Sequence, residues 1–244
     1  MKPERPPGPP ASPSRVLSPL LPAWNRVLAV VAHPDDETFG LGALISKLTA
    51  ASASVHILCY THGEASTLNE NRTNLLRQRE HEMRKAGAAL GAAAITLLGY
   101  RDGHLAAQPP GELADRVTAL AARHHPDGLL AFDDTGITGH PDHQAATAAA
   151  VRAGTVLALP VLAWALPADL ADRLRAETGL PFAGQPPGNL DFGVPVDRAR
   201  QRKAAWLHAS QISPGAVLWR RLELQGDTEH LRWLLPPRTL LKPS

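Results

Sequence analysis

Between Arg26 and Ala165, short apolar runs alternate with longer stretches of helical spacing, and few architectures accommodate that order. Residues 27–32 (VLAVVA) form a continuous apolar run, as a strand buried on both faces of a parallel sheet requires. Over 40–50, Leu41, Leu44, Ile45 and Leu48 recur at helical spacing. The pattern then predicts a strand over 54–60, a long helix over 71–90 stopped by Gly91, and a third strand over 95–98. A helix over 112–124, a strand over 129–132 and a helix over 141–152 that opens on Pro141 follow. The apolar segment 155–165 reads as a fifth strand, with Pro160 marking an edge position or a break. This order predicts an α/β protein with a mostly parallel sheet and helices on both faces. Beyond Pro167 the signal weakens. Segments 169–178 and 197–210 read as helices, 181–188 as loop, and 217–235 carries no assignable pattern.

The 244 residues suffice for one medium-sized domain, placed at 24–244. Eight of the 23 prolines fall in the first 22 residues. Proline has a fixed φ and no amide proton, so 1–23 reads as a disordered proline-rich arm. The 25 basic and 23 acidic residues leave a net charge of +2, which argues against nucleic acid as the partner. A single cysteine, Cys59, excludes an intrachain disulfide. No apolar run approaches the roughly 20 residues needed to cross a bilayer, and no signal-peptide core follows the first charges. The expectation is a cytoplasmic protein that uses no membrane. A homo-oligomer is left open.

In open α/β sheets, ligands bind outside the carboxyl ends of the strands. The most polar clusters of this chain fall there. His33-Pro34-Asp35-Asp36-Glu37 follows the first strand, Thr61-His62-Gly63-Glu64 the second, and Tyr100-Arg101-Asp102-Gly103 the third. Asp133-Asp134 and Gly139-His140-Pro141-Asp142-His143 follow the fourth. Histidines and a carboxylate from two loops are what a catalytic zinc site uses, three ligands leaving one position for water. His33 and Asp36 can face one point from a tight turn, and His143 can join them from the first turn of the next helix. Asp35 can then point at the water as a general base. His140 lies one turn before His143 and reaches the same site. Asp142 is placed to orient one of the imidazoles. A third His-Pro-Asp, His125-Pro126-Asp127, precedes the fourth strand at the opposite end of the sheet and reads as structural.

The string Ala32-His33-Pro34-Asp35-Asp36-Glu37, paired with Gly139-His140-Pro141-Asp142-His143 about a hundred residues on, resembles the PIG-L-type (LmbE-like) deacetylase family. These are zinc-dependent de-N-acetylases of N-acetylglucosaminyl compounds. The similarity runs from about Val27 to Ala150 and returns at 203–211. It implies a Rossmann-like sheet and one zinc ion per chain held by His33, Asp36 and His143. It also implies Asp35 as general base and His140 as the group that stabilises the oxyanion and protonates the leaving amine. Arg79 matches a substrate-contacting arginine and Asp102 an acidic residue that binds sugar hydroxyls. Thr138 stands where mycothiol-type members carry a tyrosine, a departure that weakens the case for that substrate. Glu64, in the second rim loop, reads as a sugar-contacting or supporting residue.

The implied reaction is hydrolysis of the acetamide of a small acetamido sugar. In it, His140 acts protonated, its pKa raised by neighbouring carboxylates such as Asp142. Three other readings compete. Two histidines and a carboxylate also form the site of non-haem iron enzymes, although an adjacent aspartate base suits hydrolysis better. A dinucleotide enzyme would carry a glycine-rich loop after the first strand, where this chain has His33-Pro34-Asp35. A non-catalytic zinc- or sugar-binding protein on the same scaffold has no need of Asp35 and His140.

Overall fold

The structure is a computed structural model, and it describes residues 16–68 and 74–240. Five strands, β1 (Arg26–Val31), β2 (Ser54–Thr61), β3 (Ala94–Tyr100), β4 (Gly128–Phe132) and β5 (Val161–Ala165), are parallel and lie in the order β3-β2-β1-β4-β5. Two more, β6 (Phe192–Pro195) and β7 (Thr228–Leu235), extend the sheet, β7 entering antiparallel between β5 and β6. The helices are α1 (Asp36–Phe39), α2 (Gly42–Ala50), α3 (Leu75–Leu90), α4 (Pro110–His124), α5 (Gly136–Gly139), α6 (Pro141–Leu157), α7 (Ala168–Thr178), α8 (Ala199–Ala205) and α9 (Val217–Gln225).

Successive residues of β1 serve opposite faces, as strand periodicity dictates. Val27, Ala29 and Val31 pack with Leu44, Ile45, Met83 and Leu90 of α2 and α3. Leu28 and Val30 pack with Val117 of α4 and with Ala146, Ala149, Ala150 and Ala153 of α6. The alanines are small, so α6 lies close to the sheet and its amino end is held firmly at the rim. Each fully buried leucine or valine contributes about 1.5–3 kcal/mol, and cutting Leu28 to alanine costs about 2–5 kcal/mol. Asp127 of the third His-Pro-Asp accepts the amides of Asn25 (2.7 Å) and Arg26 (2.9 Å), tying down the entry to β1.

The carboxyl-terminal half departs from the sequence expectation in definite ways. α6 runs on to Leu157, and Pro160 lies just before β5, where its missing amide is not needed and its carbonyl accepts from Leu129. β5 pairs with β4 and β7 and is an interior strand, so Pro160 marks a break and not an edge. The helix expected over 197–210 shortens to α8, because turns at 206–211 deliver His208, Ser210 and Gln211 into the interior. The unassigned 217–235 is α9 followed by β7. β7 half-buries its alternate residues, so its pattern is blurred.

Residues 1–15 of the expected arm lie outside the described residues. From Val16 onward the described chain makes contacts with the domain. Ser18 keeps an amide between prolines, donates it to Asp191 O (2.9 Å) and accepts from Gly193 N (3.0 Å), forming a bridge beside Phe192. Leu21 and Trp24 pack on the core. Among the described residues no helix is long and apolar enough to cross a membrane.

Candidate metal centre

From β1 the chain moves to β2 and β3 on one side, and from β4 to β5 on the other. A crevice therefore opens where the carboxyl ends of β1 and β4 part. β1 delivers His33 to it. Asp36 Oδ2 accepts the amides of Ala32 (3.1 Å) and His33 (2.9 Å), which turns the carboxylate back to the strand end. Across the crevice His140 caps α6, Pro141 occupies its first turn, and His143 follows.

His33 Nδ1 and His143 Nε2 face each other at 3.2 Å. Asp36 Oδ1 lies 3.1 Å from His143 Nε2, and Asp36 Oδ2 lies 3.7 Å from His33 Nδ1. The outer nitrogen of each ring meets an acceptor. His33 Nε2 is 3.0 Å from Asp102 Oδ1 and 3.3 Å from Asp142 Oδ2, and His143 Nδ1 is 3.1 Å from Gly136 O. Hydrogens on those outer nitrogens leave two lone pairs and a carboxylate aimed at one point, a repulsive arrangement unless a cation fills it. Donors around a tetrahedral ion with bonds of about 2.0–2.1 Å stand about 3.3–3.4 Å apart. With the nearer Asp36 oxygen taken for each ring, the separations of 3.1, 3.2 and 3.7 Å lie around that spacing, and the three residues suit a zinc-like ion. Absent a metal, the cation is a proton. Burial opposes it, but Asp102, Asp142 and Asp36 push His33 up to about 10. Despite its own burial, Asp36 is held well below the usual carboxylate range by His143 and His33.

Asp35 has φ 126° and ψ −26°, a conformation that non-glycine residues rarely adopt. Its surroundings force it. Arg79 Nη2 donates to Asp35 Oδ2 (2.9 Å), the same guanidinium holds Pro34 O and Gly63 O, and Asp35 N donates to Glu37 Oε2 (3.0 Å). Gly63, at φ +65°, approaches Arg79 so closely that a Cβ there would run into the guanidinium. Burial and the charge of Asp36 raise the Asp35 pKa to about 6 against the pull of Arg79.

The remaining predicted site residues have definite partners, and for His140 the expected pKa direction is reversed. Arg79 is 4% exposed, its guanidinium is engaged by Asp35 and two carbonyls and so braces the candidate base, and it also lines the polar cavity at this centre. Asp102 is occupied as well, one oxygen on His33 and the other accepting Ala65 N (2.9 Å). Glu64 accepts the Asp102 amide (2.9 Å) and so joins two rim loops. Asp142 takes Gly103 N (2.7 Å) and Leu105 N (2.9 Å), and the imidazole it meets is that of His33. His140 Nδ1 instead accepts the Asp142 amide (3.2 Å), so a neutral ring carries its proton on Nε2. Burial, with His143 and His33 nearby, lowers the pKa of His140, the reverse of the expected rise.

Other residues matter that the motifs did not assign. Glu37 is fully buried, and its carboxylate takes His208 Nε2 (2.8 Å) as well as the Asp35 amide. Its membership of the first motif was the available signal. Ser66 donates to Gln211 Oε1 (2.7 Å) across the mouth.

Two cavities meet at this centre. A polar one of about 430 Å³ is lined by His33, Asp35, Ser66, His140 and Gln211 among others. An apolar one of about 220 Å³ lies on the other side. Asp36 and His143 border both.

Comparison with known proteins agrees with this architecture. The PIG-L family, described as GlcNAc-PI de-N-acetylase, matches residues 28–154. The 1D-myo-inositol 2-acetamido-2-deoxy-alpha-D-glucopyranoside deacetylase of Nakamurella multipartita is 32% identical, over 79% of this chain and 82% of that one. A probable N-acetyl-alpha-D-glucosaminyl L-malate deacetylase 2 of Bacillus anthracis is 28% identical, over 86% of this chain and 92% of that one. Among solved structures, the N,N'-diacetylchitobiose deacetylase from Pyrococcus horikoshii shares the fold with a TM-score of 0.65 at 24% identity, covering 87% of this chain and 85% of that one. Sequence, fold and matched motifs agree that this chain belongs to the PIG-L, GlcNAc-PI de-N-acetylase, family.

Proposed function

We propose that this protein is a zinc-dependent N-deacetylase that hydrolyses the acetamide of an N-acetylglucosaminyl-type small molecule. The observation that carries the reading is the pair of histidine lone pairs facing each other at 3.2 Å beside the Asp36 carboxylate, with Asp35 lining the adjoining polar cavity. His33, Asp36 and His143 would hold the ion. A divalent cation there supplies Lewis acidity and a water acidic enough to lose its proton near neutral pH.

The remaining chemistry belongs to the chain. Water adds to the acetyl carbon, the C–N bond breaks, and acetate and a free amine leave. Asp35, raised to about 6, is ionised at neutral pH yet basic enough to take the proton of the attacking water. Arg79 and Glu37 hold it in the strained conformation that aims it. His140, neutral and protonated on Nε2, donates to the oxygen on which charge develops, a contribution of about 3–4 kcal/mol for groups of this kind. The departing nitrogen takes its proton in the polar cavity, from Asp35 or His140. The sugar hydroxyls would meet Arg79, Asp102, Ser66 and Gln211, which line the polar cavity, with Glu64 supporting the Asp102 loop. The test is an acetate-release screen of purified protein against N-acetylglucosaminyl conjugates and chitooligosaccharides, with zinc and with ferrous iron. Stoichiometric acetate with zinc supports the reading, and no acetate from any member of the panel overturns it.

A further inference from the structure

The apolar cavity is not needed to cleave an acetamide. It begins at the metal ligands themselves: the His143 ring meets Phe132 edge to face at 5.0 Å, and Phe132 packs on Trp164 at 5.2 Å. Ile137, Phe182 and Leu218 continue the wall, and Leu180, 42% exposed, stands at its outer edge. Its one cationic lining residue, Arg221, is already satisfied. The guanidinium donates to Phe39 O and Gln225 Oε1 and lies 4.9 Å over the Trp164 ring. Asp35 and His140 line only the polar cavity.

That asymmetry orients a substrate. The leaving nitrogen must end beside proton-bearing groups, so it belongs with Asp35 and His140. The group on the other side of the carbonyl then points past Asp36 and His143 into the apolar cavity. A methyl fills little of it, for about 220 Å³ holds roughly seven groups of water size at about 30 Å³ each.

We infer that the cavity is an acyl-chain site, and that the protein takes N-acyl amino sugars whose acyl chain is of medium length, about six carbons, in preference to acetyl. This rests on the deacetylase reading and narrows it: the same bond breaks, and the product acid is a medium-chain carboxylate in place of acetate.

The experiment measures calorimetric affinities of N-acetyl-, N-butanoyl- and N-hexanoylglucosamine for the full-length Asp35→Asn protein, metal-loaded and metal-free, with octyl N-acetylglucosaminide as a fourth ligand. Each buried methylene is worth about fourfold. The hexanoyl compound has four more methylenes than the acetyl one and should bind about 30-fold to 200-fold more tightly, allowing for incomplete burial. Leu218→Trp fills the cavity and should flatten this dependence. Leu180→Asp, an exposed change that leaves the fold intact, should weaken hexanoyl binding relative to acetyl. Affinity that is flat or falls with acyl length overturns the inference, and so does a gain confined to the octyl glycoside, which would give the cavity to an aglycone. Hydrolysis of the N-acetyl compound by wild-type protein, measured in parallel, separates the failures. Acetate release with flat affinities discards only the acyl site, whereas neither binding nor hydrolysis of any compound discards the deacetylase reading with it.

Discussion

His33 and His143 turn ring nitrogens toward each other at 3.2 Å while each is anchored on its far side, His33 by Asp102 and Asp142, His143 by Gly136 O. The anchors fix which nitrogen offers its lone pair. Asp142→Asn should therefore weaken metal binding about 10–100-fold without removing a ligand, whereas Asp36→Ala and His143→Ala should lose most of the metal. Competition with a chelator of known affinity measures all three. An unchanged affinity in Asp142→Asn would show that the far-side carboxylate does not tune His33.

Asp35→Asn should keep its metal and lose about 10²–10⁴-fold in kcat. Arg79→Lys tests the brace. Because Arg79 holds Asp35 and two carbonyls, the variant should lose kcat with KM and metal content little changed. A raised KM with intact kcat would make sugar contact, not bracing, the main duty of Arg79.

His140 has two duties that can be separated. Its Nδ1 caps α6 by accepting the Asp142 amide, and its Nε2 is left for the cavity. Asparagine is a good helix cap, so His140→Asn should stay within about 0.5 kcal/mol of wild-type stability and retain metal. Its rate should still fall roughly 10²-fold. Comparable losses of stability and rate would show that capping is the whole role.

The Glu37–His208 pair makes stability depend on pH. Burial opposes the His208 charge, but Glu37, Asp35 and Glu82 raise its pKa above the ordinary 6.5. A raised folded pKa means the stabilisation is complete below about 6.5 and is lost as the pH rises through the folded value. His208→Gln should cost about 2 kcal/mol near pH 6, or about 4–8 °C in Tm for a chain of this size. The gap to wild type should narrow toward pH 9. A gap that widens with pH would contradict the charged pair.

Deleting residues 1–23 removes the Ser18 bridge to β6 and the Leu21 contact, and should lower Tm by a few degrees. Deletion of 1–15 keeps both, and should lower it less. Equal Tm values for the two truncations and wild type would place the domain start at Trp24.

Legibility followed the range of the forces involved. The parallel half of the sheet and the clustering of His33, Asp36 and His143 lie in local patterns, apolar runs and two compact motifs, so they could be read directly. Pro160 left two readings open, an edge position or a break, and it is the break between α6 and β5 that the structure has. The carboxyl-terminal α9 and β7 are half-exposed and carry weak periodicity. The hydrogen-bond partners of Arg79, Asp102 and Glu64 were not legible for a different reason. Each residue has a partner 37 to 45 residues away, and spacing along the chain says nothing about whether a charged group is free or already engaged.

The central claim is that one ion at His33, Asp36 and His143 makes this chain an amide hydrolase, and acetate release by metal-stripped protein titrated with zinc tests it directly. The account predicts negligible release from the stripped protein with an N-acetylglucosaminyl substrate, and activity that returns and saturates at one zinc per chain. Release at an undiminished rate without metal, or none at any zinc level from any N-acetylglucosaminyl compound, would contradict it.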